Sequence, residues 1–287
     1  MRLKIWGCRG SVPTPGSETV QYGGNTSCVE IVLGDETVLV LDAGSGIRTL
    51  GDELMARGTR RLHLLLTHLH LDHLEGLRFF APLWDPNVLV EIWGPPSPLF
   101  SLRERIARSF SPPLFPIELS DVPAQVTFHD VPRVPWTIDG VSLEAALVVH
   151  PGPTLGFRIE AEGSTIAYLP DHEPALTGAI SDQALDWLSG ASVAQEVDLL
   201  FHDAQYFEDE YEQRMGWGHS SVADAVAFAD AVSARRLVLF HHEPLHSDDS
   251  LERLESLAAS LAGPNAAPPT LAREGTVLEL PALEEER

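Results

Sequence analysis

Short apolar runs of strand character, interrupted by amphipathic helical patterns, predict an α/β (α+β) fold for this chain of 287 residues. Three observations carry the prediction. The chain opens with strands joined by a tight hairpin turn. Its C-terminal third alternates strand, helix and strand. Predicted strands also end repeatedly on a histidine or an aspartate, which gathers polar side chains on one shared rim.

The opening segment, Met1 to Cys8, reads directly as a strand without the apolar core of a signal peptide, so a cytoplasmic location is expected. Gly7 to Gly16, with Pro13 and Pro15, is a turn-rich loop. A strand follows from Val29 to Leu33, Gly34-Asp35-Glu36 turns, and Thr37 to Leu41 returns. Asp42 closes that strand and leads into a helix with Ile47, Leu50 and Leu54 on one face. The next apolar run, Leu62 to Leu66, empties into Thr67-His68-Leu69-His70-Leu71-Asp72-His73-Leu74-Glu75. The spacing Asp72-x-x-Glu75 predicts a helix start, placing the histidines at a strand-to-helix junction.

Residues 81–98 and 111–123 are rich in proline and hold one strand, Val88 to Trp93, while Leu99, Leu102, Ile106 and Phe110 mark a helix between them. Their many large apolar residues make this region packing and pocket wall. Strands are predicted at Val126 to Phe128, Ser142 to Val149, Gly156 to Glu160 and Ser164 to Leu169. The second runs into His150 and the last into Asp171-His172-Glu173. Ala184 to Leu188 suggests a short helix, and the strand Val197 to Phe201 ends in His202-Asp203-Ala204-Gln205-Tyr206. Ser221 with Asp224 caps a helix, the strand Leu237 to Phe240 ends in His241-His242, and residues 250–261 form a last amphipathic helix. With no repeat and no low-complexity linker, residues 1–280 are expected to form one domain and 281–287 a frayed tail.

Asp and Glu outnumber Lys and Arg by 42 to 19, a net charge of −23, which repels polyanions at long range and disfavours an extended nucleic-acid surface. No run approaches the ~20 apolar residues of a membrane span. Cys8 and Cys28 stand far apart in a chain without an export signal, so buried free thiols are expected.

His63 and His129 stand alone and read as structural. The block His68-x-His70-x-Asp72-His73 does not, because four potential ligands so close would crowd and repel one another without a cation. Adding His150, Asp171 and His241 gives enough ligands for two metals with a shared carboxylate. Histidine-rich ligation without thiolates favours zinc, with manganese or iron as substitutes.

The chain resembles the metallo-β-lactamase superfamily, whose signature HxHxDH is matched by His68, His70, Asp72 and His73, and whose later ligands match His150, Asp171 and His241. The resemblance implies an αββα sandwich and a dinuclear site. In it His68, His70 and His150 hold one metal, Asp72, His73 and His241 hold the other, and Asp171 bridges them. Asp42 would support the site from behind. His202-Asp203-Ala204-Gln205-Tyr206 and Gly218-His219-Ser220-Ser221 look like paired motifs of the ribonuclease Z and phosphodiesterase branch. There an acidic residue, here Asp203, orients a histidine, here His219, that protonates the leaving oxygen. Ribonuclease Z enzymes carry an arm for transfer RNA. Here only a strand hairpin separates His150 from Asp171, and Lys4 is the single lysine.

The expected activity is therefore hydrolysis of a small, cyclic phosphodiester, such as a cyclic nucleotide or a phosphoribosyl cyclic phosphate, by a metal-bridged hydroxide with Asp72 among the catalytic groups. Arg9, Asn25 and His172 lie in loops that can face the pocket. The related phosphodiesterases imply a homodimer. The alternatives are a transfer-RNA 3′ endonuclease, a lactone or thioester hydrolase, and a non-catalytic metal-dependent sensor.

Overall fold

A computed structural model of the chain describes residues 1–176, 178–263 and 267–281. The tail residues 282–287 lie outside the described residues. In chain order the first half comprises β1 (Arg2–Gly7), β2 (Cys28–Val32), β3 (Val38–Leu41), α1 (Ile47–Ala56), β4 (Arg61–Leu65), β5 (Leu89–Gly94), α2 (Leu102–Ala107) and β6 (Gln125–Asp130). The second half comprises β7 (Trp136–Ile138), β8 (Val141–Leu147), β9 (Leu155–Ala161), β10 (Ser164–Leu169), α3 (Ala191–Ala194), β11 (Leu199–Asp203), α4 (Glu208–Tyr211), α5 (Val222–Ala231), β12 (Leu237–Phe240), α6 (Asp248–Leu261), β13 (Thr270–Leu271) and β14 (Val277–Glu279).

Two seven-stranded sheets result, ordered β14-β1-β2-β3-β4-β5-β6 and β13-β12-β11-β10-β9-β8-β7. Each is half antiparallel and half parallel. In the first, β3 to β6 run parallel, and in the second, β10 to β13 do. Parallel strands buried on both faces read as apolar runs, as in Leu64-Leu65-Leu66 and Leu237-Val238-Leu239-Phe240.

The core is layered accordingly. Leu3, Ile5, Ile31 and Leu41 of the first sheet meet Phe157, Ile159, Tyr168, Phe201 and Phe240 of the second in one buried cluster. A second cluster joins Val40, Leu62, Leu64 and Ile92 to Ile47 and Leu50 of α1 and to Leu102 and Ile106 of α2. A third joins Ala167, Leu200 and Leu239 to Val193 of α3, Ala225 and Phe228 of α5, and Leu251 and Leu254 of α6. Helices therefore cover the outer face of each sheet, an αββα sandwich.

Several local expectations are revised. No α-helix starts at Asp72; two 3₁₀ turns, Leu71–His73 and Glu75–Phe79, follow β4, and neither has a side-chain cap. The two carboxylates are engaged elsewhere. Asp72 accepts a bond from Ser11 N (2.8 Å) and Glu75 one from Thr26 Oγ1 (3.2 Å). Leu99 lies outside α2 and is 79% exposed. That helix begins later, at a capping box between Ser101 and Glu104, because Pro95, Pro96 and Pro98 keep the preceding chain extended. The segment Ala184 to Leu188 holds only a 3₁₀ turn, Leu185–Trp187. Strands β7, β13 and β14 were not foreseen, since two or three residues carry no periodicity. The caps at Ser221 and Ser247 form as side-chain oxygens accepting from Asp224 N (3.1 Å) and Ser250 N (3.3 Å).

Candidate metal centre

The parallel strands of both sheets deliver their C-terminal ends to one edge of the sandwich. Asp42 follows β3, His68 to His73 follow β4, His150 follows β8, Asp171 follows β10, Asp203 ends β11 and His241 follows β12. Open α/β sheets place ligands beyond the carboxyl ends of their strands for this reason. The sheets are also tied together here, because Leu155 N donates to Thr67 O across them (2.9 Å). Asp42 and His241 leave their strands with φ of 60° and 61°, the left-handed region that non-glycine residues seldom occupy, and so turn sharply into the site.

Four overlapping groups of potential ligand atoms, each within 4.8 Å of one another, occur among the described residues; two of them, His68, His70 and His150, and Asp72, His73, Asp171 and His241, hold the expected ligands, and the other two, His150, Asp171 and His219, and Asp203, His219 and His241, bring in His219. Asp171 lies between the first two. Its Oδ1 is 3.8 Å from His68 Nε2 and 3.7 Å from His150 Nε2, while His241 Nε2 is 3.1 Å from Oδ1 and His73 Nε2 is 2.9 Å from Oδ2. Asp72 Oδ2 is 3.3 Å from His73 Nε2 and 3.2 Å from His241 Nε2.

Four of the histidines are held from behind through Nδ1, which leaves Nε2 turned inward. His73 Nδ1 donates to Asp42 (2.8 Å), His68 Nδ1 to Thr67 Oγ1 (3.0 Å), His150 Nδ1 to Gly218 O (2.8 Å) and His241 Nδ1 to Gln205 Oε1 (3.0 Å). Thr67 Oγ1 in turn donates its own hydrogen bond to Asp42 (3.0 Å), and Gln205 Nε2 donates to Glu243 (2.6 Å). His70 is the exposed member, with Nδ1 at 3.2 Å from His150 Nε2.

The donor set fits a cation. His68 Nε2, His73 Nε2 and Asp171 Oδ2 are fully buried and have no hydrogen-bond partner; the last two, though 2.9 Å apart, are not aligned to bond. Unpaired buried polar atoms are costly and rare, and these three, distributed over the two neighbouring ligand groups, mark ligand positions. The charges agree. Burial holds His150 down to about 4 and pushes His68 well below its ordinary value, so both are neutral near pH 7 and free to ligate. Burial also opposes charge on His241 and His73, yet Asp171 and Asp72 outweigh it, raising His241 to about 10 and His73 well above normal. Around two buried carboxylates, positive charge is required, and a divalent ion supplies it.

Asp203 is fully buried at the end of β11. Its Oδ2 accepts His219 Nδ1 (2.7 Å) and His172 N (3.3 Å); its Oδ1 accepts Gln205 N (3.0 Å) and Ser220 N (3.1 Å). The His219 ring stacks on His241 at 4.8 Å and meets His150 edge-on at 4.9 Å. A cavity of about 490 Å³ opens beside His68 and His70, walled by Leu71, Leu114 and Pro151 and by Arg105 and Arg108.

Three pocket candidates are placed elsewhere. Arg9 is fully buried and donates to the carbonyls of Gly23, Glu243 and His246, so it holds loops together. Asn25 binds Glu274 and Ser45. His172 is fully buried against His202 (Nδ1 to Nε2, 2.8 Å) and Phe228, and reaches the site only through its backbone N–H on Asp203. Their loop positions had no signal of direction. Thr67 and Gln205 were passed over, although both adjoin quoted motif residues.

Fold and donor set together define a metal-binding hydrolase built on paired sheets. The chain belongs to the β-lactamase superfamily, whose family model, the beta-lactamase superfamily domain, matches residues 37–242. Among curated relatives, the ribonuclease Z of Haloarcula marismortui is 27% identical over 84% of this chain and 86% of its own length. Among solved structures, the human short-form tRNase Z superposes with a TM-score of 0.67 at 23% identity, covering 98% of this chain and 100% of that one. A diphosphatase of the PhnP family superposes with a TM-score of 0.67 at 18% identity, covering 98% of each chain.

Proposed function

We propose that this chain is a dinuclear metal-dependent phosphodiesterase acting on a small, cyclic phosphodiester, with His219 as general acid. The observation that carries the reading is the Asp203–His219 pair, 2.7 Å apart and seated against His150 and His241. A thiolate leaving a thioester needs no proton donor of this kind, whereas an alkoxide leaving phosphorus does.

His68, His70 and His150 would hold one divalent ion and Asp72, His73 and His241 a second, with Asp171 shared; zinc suits this nitrogen and oxygen set, and manganese or iron are substitutes. Bound there, the ions supply Lewis acidity toward phosphate oxygens and acidify water. The chain's own groups do the rest. Asp203 accepts the His219 Nδ1–H bond and so orients the ring, leaving Nε2 as the atom that would serve the departing oxygen. Arg108 and Arg105, the latter also 3.8 Å from Asp130, bring positive charge to the lining of the cavity, which suits an anion the size of a nucleotide.

A second reading, a transfer-RNA 3′ endonuclease, is favoured by the ribonuclease Z and tRNase Z names of similar proteins. Against it, β9 alone joins the His150 region to β10, and the chain holds one lysine. The reading also includes a cytoplasmic homodimer: the free, buried Cys8 and Cys28 suit a reducing compartment, and light scattering would give the mass.

The test is turnover of a bis-aryl phosphate and a panel of cyclic nucleotides, with and without chelator, beside His68→Ala and His219→Ala. Metal-dependent turnover is expected, lost on every substrate in His68→Ala and chiefly on the cyclic nucleotides in His219→Ala, since an aryl oxide departs without a proton; no turnover on any substrate sinks the reading. Tight binding of precursor transfer RNA with a steep salt slope would shift the choice to the endonuclease.

A further inference from the structure

One buried carboxylate in the site's wall takes no part in the ligand groups or the proton donor. Glu173, just beyond Asp171, is 1% exposed, and all its side-chain partners are neutral donors. Oε1 accepts Tyr211 Oη (2.9 Å) and Gly216 N (2.8 Å), and Oε2 accepts Gly218 N (2.8 Å). Its backbone N–H donates to Val149 O (3.0 Å), the residue before His150.

A carboxylate buried without a cation is costly unless it organises something that needs both oxygens. Here the organised element is the turn Gly216-Trp217-Gly218. Gly216 and Gly218 both have left-handed φ, 85° and 88°. A Cβ at Gly218 would stand 2.6 Å from His150 Nδ1 and 2.4 Å from Pro151 Cδ, so the backbone there lies directly against the ligand. The Gly218 carbonyl takes the His150 proton, and the next residue is His219.

We propose that Glu173 is a positioning residue: by gripping the N–H groups of Gly216 and Gly218 it sets the carbonyl that aims His150 and the backbone that presents His219. One carboxylate thereby couples ligand geometry on one side to proton-donor geometry on the other. The inference rests on the roles assigned above to His150 and His219.

Glu173→Gln keeps the size but turns one acceptor oxygen into a donor facing an N–H. Two measurements on the full chain read the consequence without substrate. Zinc affinity, by competition with a chromophoric chelator, is expected to weaken about 10- to 100-fold. In metal-free protein, the low-field NMR resonance of the His219 Nδ1 proton, identified by its loss in His219→Ala, is expected to broaden or disappear. Both readouts unchanged in a folded Glu173→Gln chain would overturn the inference, even if the melting temperature falls. If that variant does not fold, Tyr211→Phe withdraws one of the three donors and strands no other, and a loss of about threefold in zinc affinity is expected. An unchanged affinity there likewise overturns it. Neither readout depends on phosphodiester turnover, so failure of the proposed reaction and failure of this inference are separable.

Discussion

Asp203→Asn isolates the proton donor from the metal ligands. Four donors converge on this carboxylate: His219 Nδ1 at 2.7 Å and His172 N at 3.3 Å on one oxygen, Gln205 N at 3.0 Å and Ser220 N at 3.1 Å on the other. Asparagine offers one acceptor oxygen. Turned toward Gln205 and Ser220, it points its NH₂ at His219, whose Nδ1 loses its carboxylate acceptor. A charge-assisted hydrogen bond contributes about 1.5–3 kcal/mol, which is about 10- to 150-fold in kcat wherever that proton is needed. Turned the other way, it leaves Gln205 N and Ser220 N unpaired at about 1–3 kcal/mol each; the first orientation strands only the longer His172 N contact, because the His219 ring can switch tautomer and accept through Nδ1, so it is favoured. The assay compares two phosphodiesters, one with a nitrophenolate leaving group that departs unassisted and one with an alkyl alkoxide. The alkyl substrate should lose the full factor and the aryl substrate less than about threefold. Equal losses on both would refute the assignment of His219 as acid and point to a structural role for the pair.

Gly10→Ala would place a Cβ 2.5 Å from His241 Nδ1, displacing a ring that Gln205 now holds; zinc affinity measured by competition should fall about 10- to 100-fold. Arg108→Ala should raise KM for an anionic substrate about fivefold, because Arg108 lines the cavity and lies 4.7 Å over the exposed Phe100 ring; stability by urea titration should change little. Acid should destabilise the chain early. Burial holds His202 at about 4 and His242 at about 3, both below the ordinary 6.5. Each therefore adds stability that is complete above pH 6.5 and lost as pH falls toward its folded value, since only the unfolded chain takes up the proton. Two such groups give a loss of about 2.4 kcal/mol between pH 6 and 5. Flat urea midpoints over that interval would contradict their neutral burial.

Much of the site was legible because its residues sit at strand ends. Strands announce themselves by apolar runs, and His68, His150, Asp171 and His241 each follow one directly. Direction was not legible. Asn25 and His172 occupy loops as polar as that of His219, yet Asn25 is spent on Glu274 and Ser45, and His172 is packed between His202 and Phe228. The helix expected at Asp72 failed for a related reason. A capping box is a local preference of about a kilocalorie, and the long-range partners of Asp72 and Glu75 outweighed it.

By itself, the sequence determined the layered α/β pattern, the close set His68, His70, Asp72 and His73, and the chemistry of nitrogen and oxygen ligation, because these depend on residue type and short spacing. Tertiary structure alone decided which distant groups complete that set. It set Asp171 between two ligand groups and brought Asp203 to His219. It also enlisted Thr67 and Gln205 to fix imidazole tautomers. Most of those contacts join residues far apart in the chain, and only the face-to-face packing of two sheets, with their strand ends gathered on one side, brings them within hydrogen-bond reach.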